Sequence, residues 1–312
     1  MADGNDLELA RPPPAAPATL GVARSLADAR DGQIVVVNRR GEVIGRERLM
    51  ARAYLHAAIR LSGLGLVWGA LLYAGHPFLA LGVCGASFAY SLTRLGRNQE
   101  LRAAMALLAS RRYDDAFVAF EKIDQRRLAP ASRAFVALKL AVLDWIRGNR
   151  ERALERYDRV LDRVRGRRRH RATYWFATLE RAALLPTLGR LDEARATERD
   201  LDAAPDGELF TFMRQNVSLA IAFHADDAGG LPDDLALHDW ARAALGRTRF
   251  GVTLVRLAWA FARRGDVGMA QHLLAESSSR LDYPVANADP ALGRWMEERM
   301  TEWAITPVAR EP

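Results

Sequence analysis

The strongest contrast in the hydrophobic pattern is a charge-free stretch in the first third of the chain. Residues 61–93 contain no Asp, Glu, Lys or Arg, although charged residues make up 27% of the sequence. Gly75-His76-Pro77 divides this stretch, and proline does not continue a helix from the preceding turn. Because one helix needs only roughly 20 residues to cross a hydrocarbon core, the pattern predicts two helices and a turn. We expect a two-helix transmembrane hairpin in residues 51–95.

Other interpretations of this stretch stay open. A signal peptide is not one of them, because it would lie at the extreme N-terminus and would be shorter. Each half has only about 15 strictly apolar residues, a length that also suits a hairpin buried in a soluble core. A hairpin that enters one leaflet and returns is a third possibility. Both halves are apolar on all sides, which favours lipid over a half-exposed position.

Arginines flank the predicted hairpin on both sides, and its central turn has none. They are Arg39, Arg40, Arg46, Arg48, Arg52 and Arg60 before it and Arg94, Arg97 and Arg102 after it. Basic residues stay on the cytoplasmic side of a membrane, so both termini are expected in the cytoplasm. Only two of the 45 basic residues are lysines, a bias that is typical of GC-rich bacterial genomes. We therefore expect a multi-pass protein of a bacterial inner membrane.

The residues before the hairpin divide into two short parts. Residues 1–20 contain the run RPPPAAPAT without apolar periodicity, which predicts a disordered tail. In residues 21–50, the β-branched run Ile34–Val37 is followed by a turn-like Asn38–Gly41 and then by Val43 and Ile44. This pattern predicts a short β-hairpin beside the membrane.

From Asn98 to the end, apolar residues follow a helical period, and the pattern repeats. The marker alanines lie 34 to 42 residues apart: Ala116, Ala153, Ala194, Ala236 and Ala270. Twelve residues before each marker stands Ala104, Ala141, Ala182, His224 or Ala258. A glycine, Gly148, Gly189 or Gly265, precedes three of the markers at a predicted turn, and Arg111 takes its place in the first unit. The fourth unit is degenerate and is aligned on Leu235, Ala236, Trp240 and Ala243.

This pattern resembles the tetratricopeptide repeat family, whose units are helical hairpins of ~34 residues. The resemblance covers Asn98 to Leu281, with departures such as Glu198 in place of an aromatic residue and no closing proline. It implies an all-α fold in residues 96–312, an α-solenoid in which stacked units bury each other's apolar faces. We expect the segment Pro290–Ile305 to form a helix that caps the stack.

The sequence contains no recognisable catalytic or metal-binding motif. None of the six histidines forms HExxH, and the single cysteine, Cys84, excludes a cysteine zinc site. His238-Asp239 is a weak metal signal, and His224 with Asp226 is interpreted as a helix end. We expect no enzyme activity and no cofactor.

The resemblance implies that the chain binds a protein partner on the concave face formed by the first helices of the units. From the register, the residues expected there are Arg102, Lys139, Asp144, Glu180, Arg214 and Arg256. A second candidate is the basic stretch RVRGRRRHR, whose arginines are Arg163, Arg165, Arg167, Arg168, Arg169 and Arg171. It suits an acidic partner segment or anionic lipid, or it is simply a solvated linker. Nucleic acid is not expected, because no aromatic residue is interleaved for base stacking.

Together these features predict a membrane-anchored cytoplasmic scaffold that tethers a protein partner and raises its local concentration. One alternative is a soluble or peripheral regulatory subunit whose apolar hairpin docks on another membrane protein. A further alternative is an enzyme subunit that uses the repeat cleft.

Overall fold

The computed structural model describes residue 55 and residues 99–126, 128, 130–167, 170–205, 207–246, 250–281 and 283–306. Of these, 82% are helical and none lies in a strand, so the predicted all-α class is confirmed for this part of the chain. The predicted tail, the β-hairpin and, apart from Leu55, the transmembrane hairpin lie outside the described residues. Among the described helices, none combines the length and the apolar character needed to cross a membrane.

Twelve α-helices follow one another along the described chain. They are α1 (99–109), α2 (Tyr113–Asp124), α3 (Pro130–Ile146), α4 (Arg150–Val164), α5 (Arg171–Leu184), α6 (Leu191–Asp200), α7 (Glu208–Ala225), α8 (Asp234–Leu245), α9 (Gly251–Arg263), α10 (Val267–Arg280), α11 (Val285–Ala288) and α12 (Pro290–Glu302). Short 3₁₀ turns extend α5 and α6.

The first ten helices form consecutive hairpins that stack side by side. In the second to fifth units the first helices, α3, α5, α7 and α9, pack on one another in order. Each second helix packs against the first helix of the following unit. No unit therefore buries its apolar face alone, which is the physical reason why such helical hairpins occur as stacks.

Each of the five hairpins turns at one residue with left-handed backbone conformation. These residues are Arg111, Gly148, Gly189, Asp226 and Gly265, with φ between 50° and 84°. Glycine adopts this conformation without steric cost, which explains the repeated turn glycines. Arg111 adopts it at φ 62°, so the first unit keeps the turn although it lacks the glycine.

The marker alanines Ala116, Ala153, Ala194 and Ala270 are completely buried at the fourth position of the second helices. In the fourth unit, the marker position predicted from the sequence is wrong by one residue. There Leu237 is completely buried at this position, whereas Ala236 is half-buried and Leu235 is 75% exposed. The α7–α8 connection is longer than the other turns, so counting from neighbouring units placed the marker one residue too early.

The chain does not end at the last hairpin but returns along the stack. After α10 the chain runs back through residues 283–290, which we call the returning segment, and its helix α11 packs against α3 of the second unit. The Trp145 indole donates a hydrogen bond to the Ala288 carbonyl at 3.0 Å. Helix α12 then packs on α9, and its Leu292 is completely buried. The last helix thus covers the final unit, and the segment before it crosses the first-helix layer.

Candidate functional site

A cavity of about 170 Å³ lies on the first-helix face, where four successive units meet. It is lined by α3, α5, α7 and α9 and closed on one side by Tyr283 of the returning segment. We call it the groove cavity. Its lining residues are Val142, Trp145, Ile146, Leu179, Glu180, Ala183, Phe212, Met213, Asn216, Phe250, Gly251, Val252, Thr253, Arg256 and Tyr283. Large apolar side chains dominate its walls, and a few polar groups converge on it.

Arg256 is the central polar side chain of this cavity and is only 1% exposed. Its guanidinium donates to the Asn216 side-chain oxygen at 2.9 Å and to the Asp289 carboxylate at 3.2 Å. The Thr253 hydroxyl donates to the same Asn216 oxygen at 3.1 Å. The Arg256 Nε has no hydrogen-bond partner among the described residues. One donor of this buried cation therefore lacks a partner in the described residues.

Asp289 attaches the returning segment to α7 and α9 through its contacts with His224 and Arg256. It is 2% exposed, its carboxylate lies 3.1 Å from His224 Nε2, and it accepts from the Leu292 backbone N–H at 3.2 Å. Burial by itself would raise the pKa of this carboxyl. The hydrogen bond with His224 and the charge of Arg256 outweigh burial and hold its pKa below the ordinary value.

Glu180 and Lys139 place two further ionisable groups beside the cavity. Burial raises the pKa of the Glu180 carboxyl above its ordinary value, although the positive charges of Lys139 and Arg256 oppose this. Burial likewise lowers the pKa of the Lys139 ammonium, against the attraction of Glu180. Burial, with Glu180 nearby, also raises the pKa of the Tyr157 phenol. Burial thus opposes the charged form of each of these groups. Ionisable groups with shifted pKa values of this kind are concentrated at functional sites.

Replacing Glu180 with glutamine is expected to stabilise the fold at neutral pH by about 1 kcal/mol, because an ionised carboxylate is then no longer buried. The raised pKa means that the protonated form is favoured in the folded state. Protonated Glu180 therefore contributes stability that is fully present below the unfolded pKa and is lost as pH rises through the folded pKa. The gain should therefore vanish in acid. Urea unfolding at a series of pH values measures it.

The matched control is Glu151→Gln, which removes an exposed carboxylate from α4. We expect this variant to stay within about 0.5 kcal/mol of the unchanged protein at every pH. A loss of stability in Glu180→Gln at neutral pH would show that the attraction of Lys139 and Arg256 outweighs burial.

Of the six residues predicted on the concave face, the structure brings three together, and the other three do not line the groove cavity. Lys139, Glu180 and Arg256 interact electrostatically at the groove cavity. Arg102 is exposed on α1, and Arg214 donates to the Leu201 carbonyl at 3.4 Å at the junction with α6. The predicted place on a shared surface is therefore wrong for Asp144, which is completely buried, whereas the partner contacts of Arg102 and Arg214 stay predictions.

Asp144 is completely buried between the two helices of its own unit, not on the groove. Its carboxylate lies 2.6 Å from Arg156 Nε and 3.6 Å from Arg152 Nε, both on α4. Phe117 of α2 lies below these arginines and below Arg147, whose guanidinium carbon is 4.3 Å from the ring centre. This ion cluster joins the first and second units, so its role is structural.

The basic stretch lies in the connection between α4 and α5. Arg163, Arg165, Arg167 and Arg171 are all exposed, and Arg168 and Arg169 lie outside the described residues. The two candidate surfaces are separate, because α3 and α5 line the groove cavity with residues of their C-terminal halves, whereas this stretch precedes the start of α5.

The sequence interpretation missed Asp289 and Trp145, which attach the returning segment to the groove. Their contacts join residues 65 and 143 positions apart in the chain, and no local pattern indicates such pairs. His224 was interpreted only as a helix end, and it does lie in the last turn of α7. Its contact with Asp289 is visible only in three dimensions.

The described part of the chain contains no group of three or more His, Cys, Asp or Glu side chains that could hold a metal ion. The arrangement at the groove is instead an apolar pocket with a few fixed hydrogen-bonding groups, which suits binding. In comparisons with known proteins, no family model matches this chain, and no curated protein or solved structure matches it significantly.

Proposed function

We propose that this protein is a helical-repeat scaffold that binds a partner protein at its first-helix face and is tethered to a membrane by residues 51–95. The repeat domain is an α-solenoid similar to tetratricopeptide repeats. The tether keeps the bound partner at the membrane surface, where its effective concentration is raised.

One observation carries the binding part of this proposal: the groove already holds another segment of its own chain, the short helix α11 together with Asp289. Trp145 contacts a main-chain carbonyl of that segment, and Arg256 and His224 contact its Asp289 carboxylate. The same face therefore has the chemistry to hold a peptide segment by main-chain and side-chain contacts together. Next to this segment, the groove cavity leaves apolar wall area for a second segment.

The tether is supported by the sequence pattern of residues 61–93, which carry no charge. An uncharged stretch of this length is stable in lipid or against another protein, but not in water. The arginines on both flanks favour a cytoplasmic position for the repeat domain.

A photo-crosslinking residue at Val252, on the wall of the groove cavity, tests the binding face in bacterial membranes that contain the full-length chain. The control position is Leu235 of α8, which is 75% exposed and lies away from the cavity. We expect a discrete crosslinked partner from position 252 and none from position 235. Identical products from both positions would overturn the groove as the binding face.

Extraction of the same membranes tests the tether separately. The full-length chain should remain in the pellet after alkaline carbonate and dissolve only in detergent. Release by carbonate would favour the alternative in which the apolar hairpin docks on another membrane protein.

A further inference from the structure

One edge of the helix stack carries arginines that have no described partner. Arg163 lies in the last turn of α4, Arg165 and Arg167 in the following loop, and Arg171 at the start of α5. All four are exposed. Within the described ranges, none of them makes an ion pair or a side-chain hydrogen bond. We call these four residues the arginine edge.

Arginines at the opposite edge of the stack behave differently, because most of them contact a carboxylate. The pairs are Arg112–Asp115 at 2.7 Å, Arg147–Asp114 at 3.0 Å, Arg263–Asp226 at 3.0 Å, Arg264–Asp234 at 2.6 Å, and Arg190–Glu193. Among the described residues, Arg102, Arg199 and Arg294 also lack a side-chain partner, but they lie singly. Four such arginines lie together only at the α4–α5 connection.

The chain enters the repeat domain at this same edge. Helices alternate in direction, so the start of α1 shares an edge with the α2–α3 and α4–α5 connections. Arg126, just after α2, contacts Glu100 near the start of α1 at 2.5 Å, which fixes two of these three points together. The charge-free stretch ends at residue 93, only a few residues before α1. A chain that leaves a bilayer there brings the arginine edge to the membrane surface.

We propose that the arginine edge lies on the anionic headgroups of the membrane and orients the repeat domain with this edge toward the lipid. This inference rests on the proposed membrane tether. Basic residues near a membrane are attracted to anionic lipid within the Debye length, about 8 Å at physiological salt. Because the tether holds the edge beside the bilayer, the attraction acts at a high local concentration of headgroups.

Acidic residues at the same edge limit the size of the contact. Asp162 is exposed on α4, and Asp200 and Asp202 are exposed at the end of α6, one connection further along the stack. In the sequence, no Asp or Glu occurs between Asp162 and Glu180. The lipid contact is therefore confined to the α4–α5 connection, and the groove cavity is left open to a partner.

The test uses the full-length chain with Cys84→Ser and one new cysteine that carries a fluorophore. One protein is labelled through Asp162→Cys at the arginine edge, and the other through Asp192→Cys at the opposite edge, where the side chain is fully exposed. Both are reconstituted in vesicles of phosphatidylcholine, with or without phosphatidylglycerol, that contain a headgroup-linked quencher. With phosphatidylglycerol, quenching at position 162 should be at least about twofold stronger than at position 192, and high salt should remove the difference.

Two charge-matched variants complete the test. Glutamine at Arg163, Arg165, Arg167 and Arg171 should remove the difference, whereas glutamine at the exposed Arg112, Arg195, Arg242 and Arg263 should keep it. Equal quenching of the two labels, in a chain that carbonate does not release, would overturn the orientation and leave the tether intact. Equal quenching is also the expected result if the arginine edge binds an acidic protein instead of lipid. Release by carbonate would mean that the tether itself fails.

Discussion

Replacing Asp289 with alanine is expected to lower the free energy of unfolding by about 3–5 kcal/mol, because a buried cation is left without its partner. Arg256 is 1% exposed and has Asp289 as its carboxylate partner. The change also removes the side-chain cap on the Leu292 backbone N–H and the contact with His224. Urea titration followed by tryptophan fluorescence, on the full-length chain in a mild detergent, measures the loss.

The pH dependence of this variant gives a second measurement. The folded pKa of Asp289 lies below its ordinary value, so its contribution to stability is present above the unfolded pKa. That contribution is lost as pH falls through the folded pKa. The difference between the variant and the unchanged protein should therefore shrink only in strong acid.

Asp239→Ala is the matched control, because Asp239 pairs with Arg242 at the exposed surface. It should change the free energy of unfolding by at most about 0.5 kcal/mol. Adding Arg256→Met to Asp289→Ala should recover part of the loss, because the buried cation that lost its carboxylate partner is then removed as well. Equal losses from Asp289→Ala and Asp239→Ala would show that the returning segment does not depend on the buried pair.

Gly293→Ala is expected to destabilise the protein by about 1–3 kcal/mol, because the added methyl group overpacks a contact between two backbones. Gly293 lies in α12, and a Cβ atom there would be 2.6 Å from the Ala286 Cα atom of α11. Neither backbone can give way without moving the returning segment. Thermal unfolding followed by circular dichroism measures the effect.

Gly268→Ala in α10 is the corresponding control for helix propensity. A Cβ atom at this position meets only the Asp266 side chain at 3.8 Å, so alanine fits without a clash. We expect it to stabilise the protein by up to about 1 kcal/mol, because alanine loses less entropy than glycine in a helix. If both variants raised stability, the close approach of α11 and α12 would not exist in solution.

Helical periodicity and turn residues were sufficient to predict most of the hairpins. The hairpin α3–α4 shows why: Gly148 marks the turn, and Ala153 and Tyr157 mark one buried face. All three signals lie within one unit, so they survive without knowledge of the rest of the fold. In the fourth unit a longer connection removed the fixed spacing, and the predicted register was displaced by one residue onto Ala236.

The candidate site was predicted only in part. Lys139, Glu180 and Arg256 repeat along the first helices, so their shared face follows from helix geometry. Asp144 looked equivalent in the sequence, yet it turns toward α4 and pairs with Arg156. A charged side chain near the boundary between two helix faces can turn toward either face. The position of its oppositely charged partner decides the direction.

The sequence by itself determined the helical repeats, their turns and the charge-free stretch, because each depends on residues that are close together in the chain. Only the tertiary structure decided that the C-terminal segment returns across the first-helix face to Trp145. It also decided that the unpaired arginines share an edge with the start of α1. Both facts depend on how the units stack, and the curvature of a stack is set by packing between units rather than by the pattern within any one of them.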